Sequence, residues 1–402
     1  MAVTFVLPRS FDPLEFLTPP HLQRRADDAR WLVSTILRKT ANRDTDPCGC
    51  VRLDSRILRR IMYAPTMADV IRAMEHGAIE TAPYHVGVKA KGFRLAQRYL
   101  GERCVRRPAV DPRLIGRVER ERQRLDADDR QSRWLPIHYA LDAEQHRLTI
   151  DPAADAILAT LPEHTRLCQD VLVNRLRHRE FSFSVSSTGR VFNAVTGLKR
   201  ELRRTLRIGG EPVGGVDIAC AQPALLALEI ARCTPPNGPK WLSTYKHTGP
   251  PAPASGYPLA SAPSADLFAS LVFSGSFYET LMGSTGLDRD RVKRSFLRDV
   301  LAKRGHYPSP VEEAFRLAFP DVLAFIRAVN RRDHGDLIRV LQRLESWLVV
   351  EQVAPRLVGR VPCVTLHDAI YSTQRSLPDV ETAFNDVFNE IGVRLTLKRV
   401  PG

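Results

Sequence analysis

Two aspartates lie in segments whose patterns place a carboxylate at the end of a strand. Asp217 follows a Gly-Gly-Val segment and precedes an apolar run, which predicts a short strand leading into a helix near Pro223. Asp368 belongs to the β-rich segment 360–373, where the polar pair His367-Asp368 predicts the turn of a hairpin. If the fold brings the two carboxylates together, they could hold two divalent ions roughly 4 Å apart, which stabilises the attacking and leaving oxygens of phosphoryl transfer.

The expected ions are two Mg²⁺, because hard cations prefer carboxylate oxygens and keep water or phosphate as further ligands, and Mn²⁺ would also suit such a site. Taken singly, Asp217 or Asp368 is more typical of a turn or capping residue. The metal hypothesis therefore depends on the two residues meeting in the fold.

A helix predicted over residues 288–304 carries cations and apolar residues on one stripe. At about 100° per residue, Arg289, Lys293 and Phe296 share a face with Val300 and Arg304. Such a face suits a nucleotide, with Arg and Lys on the phosphates and the aromatic ring beside the base. Long cationic side chains that extend from the edge of a buried stripe explain the same pattern equally well.

The chain is strongly basic. It has 59 Lys and Arg residues against 45 Asp and Glu, a net charge of +14 and a pI near 9.8. Arginines and lysines cluster between residues 175 and 207, a pattern that favours the phosphates of a nucleic acid, although a solvated helix face explains a charge run taken alone. The seven cysteines are scattered and predict reduced thiols. No apolar run nears eighteen residues, so we expect no membrane partner and a cytoplasmic location.

The patterns divide the chain into two parts. Residues 1–170 predict a mostly helical region, and residues 171–402 predict an α+β catalytic core with a Pro/Ser-rich insertion at 234–265. Within these parts the sequence predicts helical patterns punctuated by Pro and Gly, for example at 56–76 and 113–125, then helices at 266–282, 288–304, 310–330 and 335–354, the hairpin, a helix at 378–391 and a last strand from Val393.

Four segments, taken in order, resemble motifs of one enzyme family. Asp217–Gln222 looks like motif A, Arg289–Ser295 like motif B and Leu366–Ala369 like motif C, while Thr188–Phe192 is similar to a Gly-Arg motif that contacts the nucleic acid backbone. Together they resemble the palm and fingers of the family A DNA polymerases and the bacteriophage single-subunit RNA polymerases. The resemblance covers residues 185–398, about half of the chain.

The resemblance implies a right-hand polymerase fold, with an antiparallel palm sheet, helical fingers and an N-terminal region that is thumb-like or binds template. It implies template-directed addition of nucleotides from nucleoside triphosphates to a primer or a new strand. The implied roles are metal ligation by Asp217 and Asp368, triphosphate binding by Arg289 and Lys293, backbone contact by Arg190, a primer-end position for His367 and a sugar-side position for Gln222.

The sugar preference stays open, because DNA polymerases of this family usually have Glu at the position of Gln222 and the RNA polymerases have Gly. The aromatic residue expected after motif B is Leu301 here. Two other functions are compatible with these features: a non-catalytic nucleic-acid-binding protein with a polymerase-like fold, and a two-metal nuclease. A nuclease has no need of the Arg289 and Lys293 helix between the two carboxylates, which favours the polymerase.

Overall fold

The computed structural model describes residues 3–83, 90–233 and 263–402. The helices are α1 Pro20–Gln23, α2 Ala26–Ala41, α3 Ser55–Ile61, α4 Met67–Met74, α5 Pro112–Arg133, α6 Pro136–Gln145, α7 Ala154–Thr160, α8 Glu163–Arg177, α9 Arg200–Arg203, α10 Ala221–Cys233, α11 Pro263–Phe273, α12 Phe277–Thr285, α13 Arg289–Ser295, α14 Pro310–Ala318, α15 Pro320–Val329, α16 Asp336–Ser346, α17 Ala354–Leu357 and α18 Leu377–Glu390. The strands are β1 Thr4–Pro8, β2 Val51–Arg52, β3 Ile79–Ala82, β4 Gly92–Leu95, β5 Cys104–Pro108, β6 Leu148–Ile150, β7 Ser184–Val185, β8 Val191–Phe192, β9 Leu206–Ile208, β10 Glu211–Ile218, β11 Val364–Leu366, β12 Ala369–Thr373 and β13 Leu397–Pro401.

The chain forms two compact units, neither continuous in sequence. The first comprises residues 1–134, 146–183 and 193–212, and the second comprises 135–145, 184–192 and 213–402. All strand pairs in the described ranges are antiparallel. The α+β class predicted from the sequence is therefore confirmed, and the boundary near residue 170 stays a prediction.

The first unit is built around α2. The helix buries Trp31, Leu32 and Ile36 on one face and packs against α8 and the β1–β5 ribbon. Burial of large apolar side chains such as these stabilises a domain by about 1.5 to 3 kcal/mol per residue. The region up to residue 170 is mainly helical as predicted, but it also holds β1 to β6, which are short and gave no clear period-2 signal.

Asp28 lies in α2 with only 2% of its surface exposed, and burial raises its pKa to about 6. Arg117 approaches its Oδ1 at 3.8 Å, beyond hydrogen-bond distance. An unfolded aspartate has a pKa of about 3.9. The pKa of Asp28 is higher in the folded state than in the unfolded state. Burial of the carboxylate therefore does not lower the free energy of unfolding below about pH 4, but lowers it increasingly as the pH rises to about 6.

Asp28→Asn should therefore raise the free energy of unfolding at pH 7 by about 2 kcal/mol, since two pKa units correspond to nearly 3 kcal/mol before relaxation. Urea unfolding at pH 4, 5, 6 and 7 measures the effect, and the gain should vanish near pH 4. The matched control is Asp69→Asn on α4, whose carboxylate is about half exposed, and it should change stability little at any of these pH values. A pH-independent gain for Asp28→Asn would contradict the burial argument.

The second unit contains an antiparallel sheet in the order β11-β12-β10-β13, with α18 packed against β12. Its central strand, β10, pairs with β12 on one side and with β13 on the other. A Cβ atom on Gly215 would meet Val400 at 2.9 Å and the ring of Tyr371 at 3.1 Å. Glycine at this position therefore lets β12 and β13 approach the strand that ends in Asp217.

The helical part of this unit has an aromatic core. Phe268, Phe277, Phe296, Phe315 and Phe319 are 0 to 1% exposed, and their rings meet at centroid distances of 5.1 to 6.2 Å. Edge-to-face aromatic contacts stabilise such a core beyond its area burial. The core fixes α11, α12, α14 and α15 relative to the segment that carries Phe296.

Two of the predicted helices are broken. The helix predicted at 266–282 is interrupted by Gly275, with a φ of +80°, and the one at 310–330 by Pro320, which excludes Phe319 from helical geometry. The helical pattern at 56–76, which the sequence punctuates with Pro, is divided around Pro65 into α3 and α4. The last strand begins at Leu397 rather than at Val393. Most of the predicted insertion, residues 234–262, lies outside the described residues, and α11 already begins at Pro263.

The helix predicted at 288–304 is also corrected. Regular α13 passes into a π-helical segment, Phe296–Leu301, so the side chains beyond Ser295 no longer follow a 100° spacing. Phe296 and Val300 are buried, whereas Arg289, Lys293 and Arg304 are exposed, so the predicted single stripe is divided. Within the described ranges, every helix is too short or too polar to cross a lipid bilayer.

Candidate active site

The register of the second unit's sheet brings the two predicted aspartates together. Asp217 in β10 is paired with Ala369 in β12, and the Ile218 amide donates a 3.3 Å hydrogen bond to the carbonyl of Asp368. His367 and Asp368 form the two-residue connection between β11 and β12, with His367 in the left-handed region at a φ of +55°. The hairpin turn predicted from the sequence is thus present, and its Asp lies beside the strand end that carries Asp217.

The other neighbour of β10 supplies a cation. Asp217 is directly opposite Lys398 in β13, and the Nζ of Lys398 lies 2.9 Å from Oδ2 of Asp217. Residues directly opposite on antiparallel strands have Cβ atoms within about 5.5 Å, so the register itself produces this ion pair. Oδ1 of Asp217 is buried and accepts no hydrogen bond within the described part of the chain. A buried carboxylate oxygen of this kind normally has a partner.

A third carboxylate, Glu345 in α16, faces the same site and is 2% exposed. Arg190, which follows the left-handed Gly189 between β7 and β8, donates two hydrogen bonds to it, from Nε at 2.8 Å and from Nη2 at 2.7 Å. Nε2 of Gln222, in the first turn of α10, donates to Oε2 of Glu345 at 3.0 Å. The bidentate pair holds the guanidinium in one orientation.

The carboxylates interact electrostatically. Burial raises the pKa of Asp368 well above its usual range, and the charges of Asp217 and Glu345 raise it further. Burial also raises the pKa of Glu345, although Arg190 opposes this shift. Like charges this close disfavour simultaneous ionisation unless a cation is shared between them.

The cations predicted for the triphosphate act electrostatically on the turn that follows Asp217. Burial raises the pKa of the Cys220 thiol, while the positive charges of Arg289, Lys398 and Lys293 oppose the shift, so all three are near the turn that follows Asp217. Arg289 also lies over the ring of Tyr278, with its Cζ 5.6 Å from the centroid, and pairs with Glu279. Lys293 is exposed.

Two further predicted site residues, His367 and Phe296, lie in different surroundings. The ring of His367 meets the partly exposed ring of Phe192 edge to face, with the centroids 5.9 Å apart. Phe296 is 0% exposed and packs against Phe277 and Phe315. In this conformation Phe296 has no surface to offer a nucleotide base, so the structure does not bring it into the open part of the site.

Asp217 and Asp368 are the residues of this site that could hold a divalent cation. Asp217 and Asp368 offer carboxylate oxygens, one of which lacks a hydrogen bond, whereas Glu345 is engaged by Arg190 and Gln222. No cluster of three or more Asp, Glu, His or Cys side chains arranged for a metal ion occurs among the described residues. Two carboxylates suffice where water and substrate phosphates supply the other ligands, as is usual for Mg²⁺.

No sequence pattern indicates Lys398, because its position opposite Asp217 follows only from the strand register. Glu345 could be recognised in the sequence as a polar residue on the helix before the hairpin, but its pairing with Arg190 could not. Comparison with models of known protein families finds no match, and comparison with curated protein sequences finds none either. A function for the chain therefore has to be argued from its own residues.

Proposed function

We propose that the protein is a nucleic acid polymerase that transfers nucleotides at the Asp217–Asp368 site. The observation that carries this proposal is the apposition of these two carboxylates by the sheet register, with a buried oxygen of Asp217 that accepts no hydrogen bond in the described chain. Two carboxylates at adjacent strand ends, with exposed Arg and Lys nearby, suit the chemistry of a triphosphate.

In the proposed reaction, the 3′-hydroxyl oxygen of a primer forms a bond with the α-phosphorus of a nucleoside triphosphate and gives its proton to water. The bond between the α-phosphorus and the bridging oxygen breaks, and pyrophosphate leaves with that oxygen. Asp217 and Asp368 would hold two Mg²⁺ ions, which when bound supply charge stabilisation for the attacking and leaving oxygens. Arg289 and Lys293 would neutralise the pyrophosphate. Arg190, fixed by Glu345, would contact the backbone of the primer-template.

The fold supports this proposal at the level of architecture. The β11-β12-β10-β13 sheet would serve as the palm, because it carries both carboxylates, and the helices from α11 to α15 would serve as the fingers, because α13 carries the cations. The first unit would be the thumb-like or template-binding part. The cytoplasmic location and the nucleic acid and triphosphate partners stay predictions.

Gln222 would lie beside the sugar of the incoming nucleotide. Its side-chain amide donates to Glu345, which restricts its rotamers and leaves the amide oxygen as an acceptor. The amide oxygen of Gln222 could accept a hydrogen bond from a ribose 2′-hydroxyl, whereas the length of the side chain would leave little space for that hydroxyl. Primer extension with ribonucleotides and deoxyribonucleotides supplied separately decides between these effects.

The deciding experiment is extension of a labelled primer on DNA and RNA templates with Mg²⁺. Extension by the wild-type protein that requires a templating base supports the proposal. Shortening of the labelled strand without added nucleotides would assign the site to a nuclease instead. One observation favours a non-catalytic protein, the Lys398–Asp217 ion pair, because an ammonium group can replace a metal ion as the partner of a carboxylate. Nucleic acid binding with neither extension nor cleavage would establish that function.

Binding should depend on salt through the basic run of the first unit. Arg200 and Arg204 are exposed and form no ion pair within the described residues. If both contact phosphates, Arg200→Ala/Arg204→Ala should lower the slope of log K against log salt by about 1.5, since each contact contributes about 0.7 to 0.9. Fluorescence anisotropy with a primer-template between 50 and 300 mM NaCl, roughly the range over which such contacts weaken, measures the slope. The control is Arg56→Ala/Arg72→Ala, and equal slopes for the two variants would exclude these contacts.

A further inference from the structure

A concave site separate from the carboxylates lies in the second unit, beyond the π-helical segment. The loop after Leu301 forms one wall, and α15 with the residues that follow it forms the other. The cavity has a volume of about 980 Å³. This volume is at the upper end of the range for small-molecule sites and exceeds the needs of a nucleotide. None of the residues that line it belongs to the carboxylate site.

Permanent cations outnumber acidic groups in the lining. Lys303, Arg304, Arg327 and Arg331 contribute to it, and Glu312 is the acidic residue of the lining in the described chain. Lys303 and Arg327 both form ion pairs with the carboxylate of Glu312, and Nη2 of Arg327 lies 3.2 Å from its Oε1. Three positive charges therefore remain uncompensated by the lining. A concave surface of one charge sign concentrates its potential and attracts counterions.

The other two arginines are available to an anion. Nε of Arg304 donates to Nε2 of His334 at 2.9 Å, while Nδ1 of His334 lies 3.2 Å from Asp333. An imidazole that accepts at Nε2 is neutral, so it leaves the charge of Arg304 in place. Arg331 is exposed, and no ion pair involves it in the residues that the structure describes. Guanidinium groups present paired donors that match phosphate oxygens.

The loop wall is fixed before any ligand arrives. Tyr307 donates its hydroxyl proton to Asp299 at 2.7 Å, and Ser309 donates to the same carboxylate at 2.9 Å. Burial would raise the pKa of Asp299, but the hydrogen bonds from Arg298, Tyr307 and Ser309 together lower it, which keeps the acceptor charged. The Tyr307 ring, 38% exposed, therefore stands at a fixed place in the cavity. The Nζ of Lys303 lies over this ring, 4.7 Å from its centroid, so a nucleobase would stack on the part of the ring that Lys303 leaves uncovered.

We propose that this cleft is a phosphate-binding site that holds the backbone of a single strand of nucleic acid, with Arg304 and Arg331 on the phosphates and Tyr307 against a base. The shared chemistry is a run of phosphate groups, which a strand or a free polyphosphate could supply. The proposal does not depend on the reaction assigned to the Asp217–Asp368 site, because binding here requires neither a metal nor a triphosphate.

The test measures binding in EDTA, so that metal-dependent binding at the carboxylates does not contribute. The variant is Arg304→Ala/Arg331→Ala, and the matched control is Arg316→Ala/Arg332→Ala, which removes two exposed arginines of the same unit that do not line the cavity. Each double variant loses two positive charges, and Arg332 is the sequence neighbour of Arg331. The control therefore matches the cleft variant in lost charge. The probes are a labelled single-stranded oligonucleotide of mixed sequence and inorganic tripolyphosphate.

We expect the cleft variant to bind the oligonucleotide about tenfold more weakly and to lower the salt slope by about 1.4, since each phosphate contact of a single strand contributes about 0.7. The control should lose much less. If the cleft variant loses tripolyphosphate binding but binds the oligonucleotide as wild type does, the cleft is still a phosphate-binding site, and its ligand is a free polyphosphate. Equal affinities and slopes for the two double variants, with both probes, would overturn the proposal. Arg331→Ala alone repeats the test without disturbing the Arg304–His334 hydrogen bond, and unfolding temperatures confirm that the variants fold.

Discussion

Replacing either Asp217 or Asp368 by Asn should abolish primer extension, with a loss of about a thousandfold or more. Asn keeps the shape of the side chain but removes the charge that holds a divalent ion, and the charge stabilisation supplied by such an ion amounts to several kcal/mol. A loss of about 4 kcal/mol in transition-state stabilisation corresponds to three orders of magnitude in rate. Single-turnover extension with Mg²⁺ measures the effect.

The control variant is Asp386→Asn, an exposed carboxylate on α18, which should leave the rate unchanged. A second readout separates a chemical role from a structural one. Because burial and the charges of Asp217 and Glu345 raise the pKa of Asp368, its ionised form is disfavoured in the folded protein. Asp368→Asn should therefore unfold at a higher temperature than the wild type in EDTA at pH 7. Normal extension by either variant would remove the support for the proposed two-metal site. The same holds if a variant loses extension only because it does not fold.

The elements that position these aspartates could be predicted because each has a strong local signal. The turn at His367-Asp368 lies between two β-rich segments, and the observed strands end at Leu366 and begin at Ala369. The change from strand to helix after Asp217 is marked by a Gly-Gly-Val segment and then by an apolar run. Here local propensity and tertiary structure agree, as they do in sequences with little frustration.

The rest of the site depends on contacts between residues distant in sequence. Lys398 meets Asp217 because of the register between β13 and β10, and Arg190 meets Glu345 across 155 positions of chain. No periodicity encodes such pairs. The π-helical segment after Ser295 also escaped prediction, because its composition is that of an ordinary helix and only the packing of Phe296 in the aromatic core reveals the change. Sequence spacing predicts Arg289, Lys293 and Phe296 on one face, whereas in the structure Phe296 is buried in the aromatic core.

Glu345 presents the second large effect, this time on stability. The carboxylate is 2% exposed, and the Arg190 side chain that it binds is 20% exposed. Removing one partner of a buried ion pair leaves the other charge without compensation, so Glu345→Ala should lower the free energy of unfolding by about 3 to 5 kcal/mol. The matched control is Glu313→Ala, whose partner Arg316 forms an exposed pair of the same type on α14, and it should change stability by less than about 1 kcal/mol.

A double-mutant cycle separates the pair from the packing of its members. Arg190→Met/Glu345→Leu replaces both charges by apolar side chains of similar length, and such replacements are often close to neutral. The double variant should therefore be more stable than either single variant, with a coupling energy of about 2 to 3 kcal/mol in urea unfolding. If the double variant is folded but binds the primer-template more weakly than wild type, Arg190 acts on the nucleic acid and Glu345 acts as its positioning residue. Unchanged primer-template affinity in a folded double variant would restrict the pair to a structural role, because a guanidinium that contacts the backbone contributes affinity that methionine cannot replace.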